Sequence, residues 1–596
     1  MKITKLASVM NGSSMSSMNP ILMTDSYKLS HILYTSPGVK TIYSNFTPRF
    51  THYLKARFPN FDGKIVWFGL QAALIQVMVE AWQRNFFEKN KEEVIQEAKD
   101  ILGPYIGMED FSHFEALHDL GYMPVEIKAL KEGSLVTAGT PCFTITNTHD
   151  DFQWLPNYLE SILTVQLWKI MTVATIGRLF KMISEEFSIL TTGSTEGTEF
   201  QNHDFSLRGH SGYESAGGCG AGFLISHSGT DNVPALQFIR SYYETNIHTN
   251  PIAFSIPAGE HSVTTLGIQI HANTHAVGEL HGISYEHTLM LAEYAYLEEV
   301  LAKFPTGIIA YVADSYDYFT FIRDILPLAK KTIMSREGKL VIRGDSGDPV
   351  EIIAGIKVPD YSDSKDLEEA AYEAFINNLN YEVKTELLIT IFSYKGSFYK
   401  SHYNVDYDKD DIFQGWDCRK IEAYNLTSEE KGTIELLYEI FGGTVNDLGY
   451  KVLDSHIGMI YGDGITMERA REIYTRLAAK GFASLNIVFG IGAYSIAAAL
   501  SRDDLGIAVK ATAATVTMAD GQDHLIPVYK EPKTDSSKTS AKGLLKVTYD
   551  EDTSMYLLQD GVTPEEANQG ELQTIFIDGK FTDLTTFQEV KDRVYA

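Results

Sequence analysis

The sequence predicts an α/β protein built around a parallel sheet. From about residue 250, short apolar runs end abruptly in Gly and Asp: GIIAYVADSYD at 307–317, KLVIRGDSGDP at 339–349, IGMIYGDG at 457–464 and NIVFGIGAY at 486–494. Such runs are typical of strands buried on both faces, and helical stretches such as ERAREIYTRLAAKGF separate them. Periodicity leaves open a barrel or an open doubly wound sheet, since both place their functional loops at the carboxyl ends of the strands.

Three regions are expected along the chain. Residues 1–190 mix β-rich runs such as KIVWFG with the helical run FFEKNKEEVIQEAKDIL, which predicts an α+β region. Residues 191–509 contain the α/β rhythm, and residues 510–596 return to strand-like, turn-rich sequence. An insertion at about 360–431 interrupts the rhythm; it holds 16 acidic and 8 basic residues, a net charge of −8.

Charge and cysteine usage limit the classes of function. The chain has 50 Lys and Arg against 78 Asp and Glu, a formal charge of −28, which disfavours a nucleic-acid partner. Three scattered cysteines indicate neither a disulfide framework nor a Cys-rich zinc site. The first twenty residues lack the apolar core of a signal peptide, and no later run looks long enough to cross a bilayer. We expect a soluble cytoplasmic protein without a membrane partner.

Acidic residues at the strand ends suggest a metal site. Mg²⁺ prefers hard oxygen ligands and is often completed by water and substrate phosphates. The alternative is that individual carboxylates cap the helices that follow the strands. The candidates are Asp314, Asp317, Asp345, Asp348 and Asp463.

Glycines and cations in the same loops suggest a phosphate-rich ligand. Gly462 and Gly492 would let backbone N–H groups approach an anion closely, although a tight turn alone would also explain them. Several cations lie beside Gly, Asp or Ser in a chain whose surface is otherwise acidic, and solvation is the alternative for each of them. These cations are Arg49, Arg208, Arg343, Arg502, Lys510, Lys530 and Lys538.

Two further segments allow both a functional and an ordinary interpretation. The stretch FQNHDFSLRGHSGYESAGGCGAG at 200–222 could form a slot for a flat ring, or it could be a core aromatic followed by a flexible loop. His261, in IPAGEHS, could be a nucleophile or a hydrogen-bonded histidine, and residue chemistry alone favours the second.

Taken in order, these segments resemble the nicotinamide phosphoribosyltransferase family. The similar motifs are NPILMTDSYKLSH, YSNFTPR, HDFSLRG, GTDN, IPAGEHS, ADSYD, RGDSGDP, GDG and SRDDLGIAVK, and they cover nearly the whole chain outside the insertion. The resemblance implies a type II phosphoribosyltransferase fold, an α/β barrel with an accompanying α+β sheet domain to which residues 510–596 return. It also implies a homodimer with shared active sites, in which the N-terminal segment contacts the partner.

The resemblance assigns roles to individual residues. Nicotinamide would be bound by Phe205, Tyr27 (from the partner subunit), Asp231, Arg208 and Arg343. The phosphoribosyl and phosphate groups would be bound by Asp314, Ser315, Asp345, Gly462, Asp463, Gly492, Arg49, Arg502, Lys510 and Lys530. The catalytic residues would be His261, Asp314, Asp345 and Arg343, and Asp314 and Asp345 would hold the metal.

The implied reaction joins nicotinamide to phosphoribosyl pyrophosphate with Mg²⁺, coupled to ATP through transient phosphorylation of His261. A carboxylate at Asp231 would accept the amide N–H and repel nicotinate, which gives a physical reason for amide selectivity. The nearest alternative is a nicotinate phosphoribosyltransferase. The alternative of another class is a non-catalytic binding or signalling protein on this scaffold, and the retained charged residues at the strand ends argue against it.

Overall fold

The computed structural model describes residues 18–59, 61–274, 284–380, 386–407, 413–498, 500–531, 533 and 540–596. Lys538, one of the predicted cations, lies outside the residues that the structure describes. The chain folds into two compact units. The first contains the chain up to Ile183, Thr198–Ser255 and Ile491–Ala596, and the second contains Ser184–Gly197 and Ile256–Gly490.

The first unit is built on a seven-stranded antiparallel sheet. Its N-terminal strand, Val39–Thr47, pairs with Phe143–Asn147 on one side and Ala508–Thr517 on the other. Segments distant in sequence therefore share one sheet, because the C-terminal strands pair with the N-terminal ones. In spatial order the strands are Asp523–Pro527, Ala508–Thr517, Val39–Thr47, Phe143–Asn147, Val125–Ala129, Gln573–Ile577 and Lys580–Phe581.

Smaller ladders and helices complete this unit. The ladders pair Ile65–Val66 with Leu135–Val136, Leu544–Asp550 with Met555–Val562, and, in parallel, Asn202–Asp204 with Gly229–Thr230. Apart from the long helix Leu155–Thr192, the helical segments of five or more described residues are His52–Arg57, Leu70–Leu74, Ile75–Phe87, Lys91–Ile106, Ser112–Leu120, Tyr213–Leu224, Val233–Tyr242, Tyr494–Ala498 and Phe587–Val594. The expected helical run FFEKNKEEVIQEAKDIL is divided in the structure: Phe86 and Phe87 end one helix, and the rest lies in Lys91–Ile106. Asn90 caps the second helix by accepting from the N–H of Glu93.

The longest helix is Leu155–Thr192, with 38 residues. By length and composition it is the one helix among the described residues that could cross a membrane, with a mean hydropathy of 1.2 over its most apolar window. However, 67% of that window is buried inside the protein, as in the core helices of globular proteins. The helix is therefore weak evidence for a membrane span.

The second unit contains the predicted parallel strands. Thr306–Val312, Glu337–Gly344, Ile457–Tyr461 and Ile487–Ile491 lie side by side in chain order, and every neighbouring pair is parallel. The buried apolar runs of the sequence form these strands, so the predicted parallel α/β arrangement is confirmed.

Helices follow or precede these strands. His261–Thr274 and Tyr285–Lys303 come before the first strand, and Met467–Ala479, capped by Thr466, corresponds to the predicted ERAREIYTRLAAKGF helix. The remaining helical segments of four or more residues are Phe321–Ile325, Leu326–Ser335, Pro349–Ala354, Leu367–Asn378, Ser428–Lys431 and Thr433–Phe441, and a short antiparallel pair joins Gly443–Val445 to Lys451–Leu453.

The acidic segment at 360–431 has a hydrophobic core of its own. The helix Leu367–Asn378 packs on the antiparallel strands Leu387–Tyr394, Ser397–Tyr407 and Phe413–Ala423. Small Ala residues on the helix allow close approach to the sheet, and the ring of Phe375 stacks on that of Tyr403 with centroids 4.2 Å apart.

Candidate active site

The carboxylates of the second unit lie at one edge of the parallel sheet. Asp314 lies two residues beyond Thr306–Val312, Asp345 follows Glu337–Gly344 directly, and Asp463 lies two residues beyond Ile457–Tyr461. The register pairs Val312 with Arg343 and Gly344 with Tyr461, so these strand ends are adjacent. The predicted common edge is therefore present for these residues.

Asp314 is the most heavily hydrogen-bonded of these carboxylates. Its Oδ2 accepts from the Ser346 hydroxyl at 2.6 Å and from the backbone N–H of Asp345 at 3.1 Å, and its Oδ1 lies 3.0 Å from Nε2 of His261. Its side chain is 4% exposed. Burial raises the pKa of Asp314, but the hydrogen bonds from Ser346, Asp345 and His261 outweigh it and leave the pKa below its ordinary value. The structure therefore favours an ionised carboxylate at this position.

His261 and Ser315 lie beside this carboxylate. His261 is the first residue of the helix His261–Thr274, and its side chain is 45% exposed. A helix N-terminus favours negative charge, and one imidazole nitrogen faces Asp314. The hydroxyl of Ser315 is buried without a hydrogen-bond partner among the described residues, so it has an unused capacity for a ligand oxygen.

Arg343 and Asp345 form a bidentate pair. Nε of Arg343 donates to Oδ1 of Asp345 at 3.1 Å, and a terminal guanidinium nitrogen donates to Oδ2 at 2.7 Å. Both side chains are 17% exposed. Gly462 packs against the pair, since a Cβ there would lie 2.3 Å from Oδ1 of Asp345. The glycine of GDG is therefore required sterically by the neighbouring carboxylate.

The other predicted metal ligands behave differently. Asp317 and Asp348 cap the helices that follow them, accepting from the N–H groups of Thr320 and Val350, so the capping alternative holds for both. Asp463 is exposed. Among the described residues no three His, Cys, Asp or Glu side chains form a metal-ligand group. Asp314 and Asp345 still offer hard oxygen atoms, which fits Mg²⁺ completed by water and phosphate oxygens.

The predicted ring-binding residues lie in the first unit. The ring of Phe205 approaches the imidazole of His203 with centroids 5.0 Å apart, and Nε2 of His203 lies 2.8 Å from Oδ1 of Asp231. The hydroxyl of Ser255 donates to the same oxygen at 2.5 Å. Phe205 and Asp231 are thus joined through one imidazole, and Asp231 is held as an acceptor.

The turn after Phe205 contacts the loop that contains Gly492. The backbone N–H of Phe205 donates to the carbonyl of Ile491 at 2.9 Å, and a Cβ on Gly209 would lie 2.3 Å from that of Ala493. Arg208, which lies between Phe205 and Gly209 in the sequence, is exposed. The hydroxyl oxygen of Ser206 lies 2.9 Å from Nε2 of His210.

The pairing of strands brings three predicted phosphate-binding cations into one part of the first unit. Lys510 pairs with Asn45 in the sheet, and Arg49 follows the same N-terminal strand. Nε of Arg49 donates to the carbonyl of Gly506 at 2.6 Å, in the loop that also carries Arg502. The sheet thus explains how segments that are far apart in sequence supply these cations.

Three further residues of the first unit that were predicted to bind substrate, Lys510, Tyr27 and Lys530, are exposed. Lys510 forms an ion pair of 3.3 Å with Glu160, which also binds Lys28. Tyr27 is exposed beside Lys28. The pKa of Tyr27 is raised, first by partial burial and then by the charges of Asp25 and Glu160, and the charge of Arg502 only partly opposes this rise. Lys530 is exposed, and its backbone bonds with that of Ser540.

Several residues near these sites were missed in the sequence. Ser346 lies within RGDSGDP and His203 within HDFSLRG, but these motifs predict no role for either residue. Glu293 lies in no motif. A signal for it exists, because its spacing of four residues from both Leu289 and Leu297 puts an acidic residue on the buried side of Tyr285–Lys303.

Glu293 should make stability depend on pH. Glu293 is 3% exposed, and one of its carboxylate oxygens has no hydrogen-bond partner among the described residues. Burial, followed by the charges of Asp317 and Asp314, raises its pKa from 4.5 to about 8. Because the folded pKa is the higher one, the stabilisation by the neutral acid is complete below pH 4.5 and is lost as pH rises through about 8.

We therefore expect Glu293→Gln to become progressively more stable than the native chain between pH 4.5 and 8, by a final difference on the order of 3–5 kcal/mol. Urea unfolding at pH 5, 7 and 9 would measure the difference. Glu299→Gln, on the same helix, is the control, because hydrogen bonds from Lys303 and His271 lower the pKa of Glu299. A constant difference between native and Glu293→Gln proteins would contradict the expectation.

Comparison with known proteins defines the family. The model of the nicotinate phosphoribosyltransferase (NAPRTase) family matches residues 200–573. A nicotinamide phosphoribosyltransferase of Acinetobacter baylyi is 34% identical over 97% of this chain and 97% of its own length. One of Xanthomonas campestris is 29% identical over 96% and 97%, respectively. The chain therefore belongs to the nicotinate phosphoribosyltransferase family, and the family resemblance and fold class predicted from the sequence are confirmed.

A solved structure of human nicotinic acid phosphoribosyltransferase covers 96% of this chain and 93% of its own, with 14% identity and a TM-score of 0.47. That score is too low to support any conclusion.

Proposed function

We propose that the chain transfers the phosphoribosyl group of phosphoribosyl pyrophosphate to nicotinamide, giving nicotinamide mononucleotide and pyrophosphate for NAD salvage. The observation that carries the proposal is Asp231, a carboxylate held by His203 and Ser255 in a cluster with the ring of Phe205. A hydrogen-bond acceptor beside an aromatic face suits a pyridine that bears an amide. The names of the bacterial relatives support the same substrate.

The reaction is a displacement at the anomeric carbon of ribose. The pyridine nitrogen supplies the electron pair for the new C–N bond, and the bond to pyrophosphate breaks with its electrons leaving on oxygen. No general base is needed, because the attacking nitrogen carries no proton. The ionised Asp314 would favour the positive charge that develops on the ribose.

The family resemblance divides the remaining residues between substrate groups. Arg343 would contact the amide with Arg208, and Tyr27 would cover the ring. Ser315 would lie near the ribose and the metal-bound phosphates, and the ribose phosphate would be bound by Asp345, Gly462, Asp463 and Gly492. Arg49, Arg502, Lys510 and Lys530 would bind pyrophosphate, and their positive charge would stabilise it as it departs. Mg²⁺, held by Asp314 and Asp345, would supply further charge neutralisation for the phosphates.

The direct test is product formation from phosphoribosyl pyrophosphate, Mg²⁺ and nicotinamide. We expect nicotinamide mononucleotide and pyrophosphate in equal amounts, and Arg343→Ala should abolish both. If the native protein forms no mononucleotide, the proposed function is wrong.

The second candidate is the nicotinate reaction, because the family model bears that name. The chemistry is the same, and only the ring substituent differs. The carboxylate of Asp231 favours the amide, since a second carboxylate at this position would be repelled.

We also propose that ATP hydrolysis is coupled to synthesis through His261. Asp314 orients the ring by contacting Nε2, which leaves Nδ1 as the nucleophile. Nδ1 would attack the γ-phosphorus of ATP, ADP would leave with the electrons of the broken P–O bond, and water would later hydrolyse the phosphohistidine. The N-terminal position of His261 on its helix favours the added phosphate charge.

Incubation with γ-labelled ATP should therefore give an acid-labile phosphate on the native protein and none on His261→Ala. His271→Ala is the control, because this histidine is on the same helix but pairs with Glu299. Label that persists in His261→Ala would assign the phosphate to another residue.

The proposed active form is a cytoplasmic homodimer in which Tyr27 completes the partner's site. Its exposed ring is available for such a contact. Mixing equal amounts of inactive Tyr27→Ala and Asp345→Ala subunits should recover about a quarter of the native activity, since half of the dimers are hybrids and each hybrid contains one intact site of two. No recovery despite verified subunit exchange would contradict the shared site.

A further inference from the structure

Asp231 receives two hydrogen-bond donors on a single oxygen. Nε2 of His203 lies 2.8 Å from Oδ1, and the Ser255 hydroxyl donates to the same atom at 2.5 Å. Two donors on one oxygen fix the plane of a carboxylate, whose two oxygens together accept about four hydrogen bonds. The orientation of Asp231 is therefore set by its neighbours before any ligand arrives.

The imidazole of His203 is itself held firmly. Its side chain is 12% exposed, and the ring of Phe205 lies against it at an angle of 60°. The ring is also close to Gly229, its partner in the parallel strand pair, where a Cβ would lie 2.6 Å from Nδ1. Only glycine allows the backbone to approach the ring this closely, so the strand pair determines where Nε2 points.

The kind of donor matters as much as its position. An imidazole N–H and a hydroxyl orient a carboxylate without adding a permanent positive charge. Asp345 provides the contrast, because the guanidinium of Arg343 binds both of its oxygens and offsets its charge. A carboxylate that must repel an acidic ring substituent needs donors without a permanent positive charge, such as an imidazole N–H or a hydroxyl.

We propose that His203 is a positioning residue that sets the preference for nicotinamide over nicotinate, by holding Asp231 as a charged acceptor for the amide N–H. This inference rests on the proposed function and names the origin of its selectivity. His203 acts through Asp231, and Ser255 is the second donor in the same role.

The test compares His203→Ala and His203→Gln with the native enzyme in steady-state assays with nicotinamide, nicotinate and phosphoribosyl pyrophosphate. His203→Ala should raise KM for nicotinamide about tenfold and lower the nicotinamide-to-nicotinate ratio of kcat/KM by about the same factor. KM for phosphoribosyl pyrophosphate should not change. Glutamine places an N–H donor near the position of imidazole Nε2, so His203→Gln should restore most of the ratio.

Two further variants separate positioning from general damage. Gly229→Ala should reproduce the loss of selectivity by displacing the ring, whereas His524→Ala, which removes an exposed histidine paired with Asp520, should match the native enzyme. If His203→Ala does not fold, Ser255→Ala takes its place and should lower the ratio in the same direction.

An unchanged substrate ratio in His203→Ala, or in Ser255→Ala when that variant replaces it, would overturn the inference. Failure of His203→Gln to restore any selectivity would also overturn it. These results are distinct from failure of the proposed function, in which the native enzyme itself would make no nicotinamide mononucleotide.

Discussion

Replacing Asp314 with Asn should lower kcat/KM for nicotinamide mononucleotide formation about a thousandfold. The side chain is 4% exposed and binds Ser346, the N–H of Asp345 and His261. An amide that still accepts from Ser346 and the N–H of Asp345 turns its NH₂ group toward His261, which must then accept at Nε2 and carry its proton on Nδ1. The substitution also removes the negative charge proposed to stabilise the ribose. The same substitution should reduce labelling of His261 by ATP, since Asp314 orients that ring.

The matched control for Asp314→Asn is Asp348→Asn. Asp348 also follows a strand end, but it caps the helix Pro349–Ala354, and Asn is about as good an N-cap as Asp. We expect near-native activity and stability for Asp348→Asn in the same assay. Equal losses in the two variants would contradict the distinction between the catalytic and capping carboxylates.

Replacing Asp231 with Asn should change substrate selectivity about a hundredfold. The substitution keeps the shape of the side chain but removes the charge that repels nicotinate, and it introduces an N–H donor for the nicotinate carboxylate. We expect kcat/KM for nicotinamide to fall and that for nicotinate to rise. Steady-state kinetics with both substrates would measure the ratio.

The control for Asp231→Asn is Asp520→Asn, an exposed aspartate that also pairs with a histidine. Its substrate ratio should equal that of the native enzyme. A ratio in Asp231→Asn that stays within about twofold of the native ratio would show that Asp231 does not select the ring substituent.

The parallel strands could be predicted because their apolar runs are continuous and end in Gly and Asp. Thr306–Val312 and Ile457–Tyr461 follow those runs closely. The sequence could not separate Asp314 from Asp317 or Asp345 from Asp348, since ligands and helix caps use the same residue type at the same strand ends. Asp314 differs from the helix caps because it accepts from donors such as the Ser346 hydroxyl, which lies 32 residues away in sequence.

The residues proposed to bind substrate groups follow from family motifs, whereas the side chains that hold them in place depend on tertiary contacts. His203 lies 28 residues from Asp231 and Ser255 lies 24 from it, so no local pattern links the three. The strand that contains Lys510 pairs with the strand that Arg49 follows, although the two strands are more than 450 residues apart. Local sequence patterns do not contain that pairing.

The central claim is that this chain is an amide-selective phosphoribosyltransferase. The most direct measurement is kcat/KM for nicotinamide and for nicotinate with phosphoribosyl pyrophosphate and Mg²⁺. We expect nicotinamide to be favoured by about a hundredfold or more, because the charge of Asp231 repels the acid. Equal or preferential use of nicotinate by the native enzyme would contradict the account.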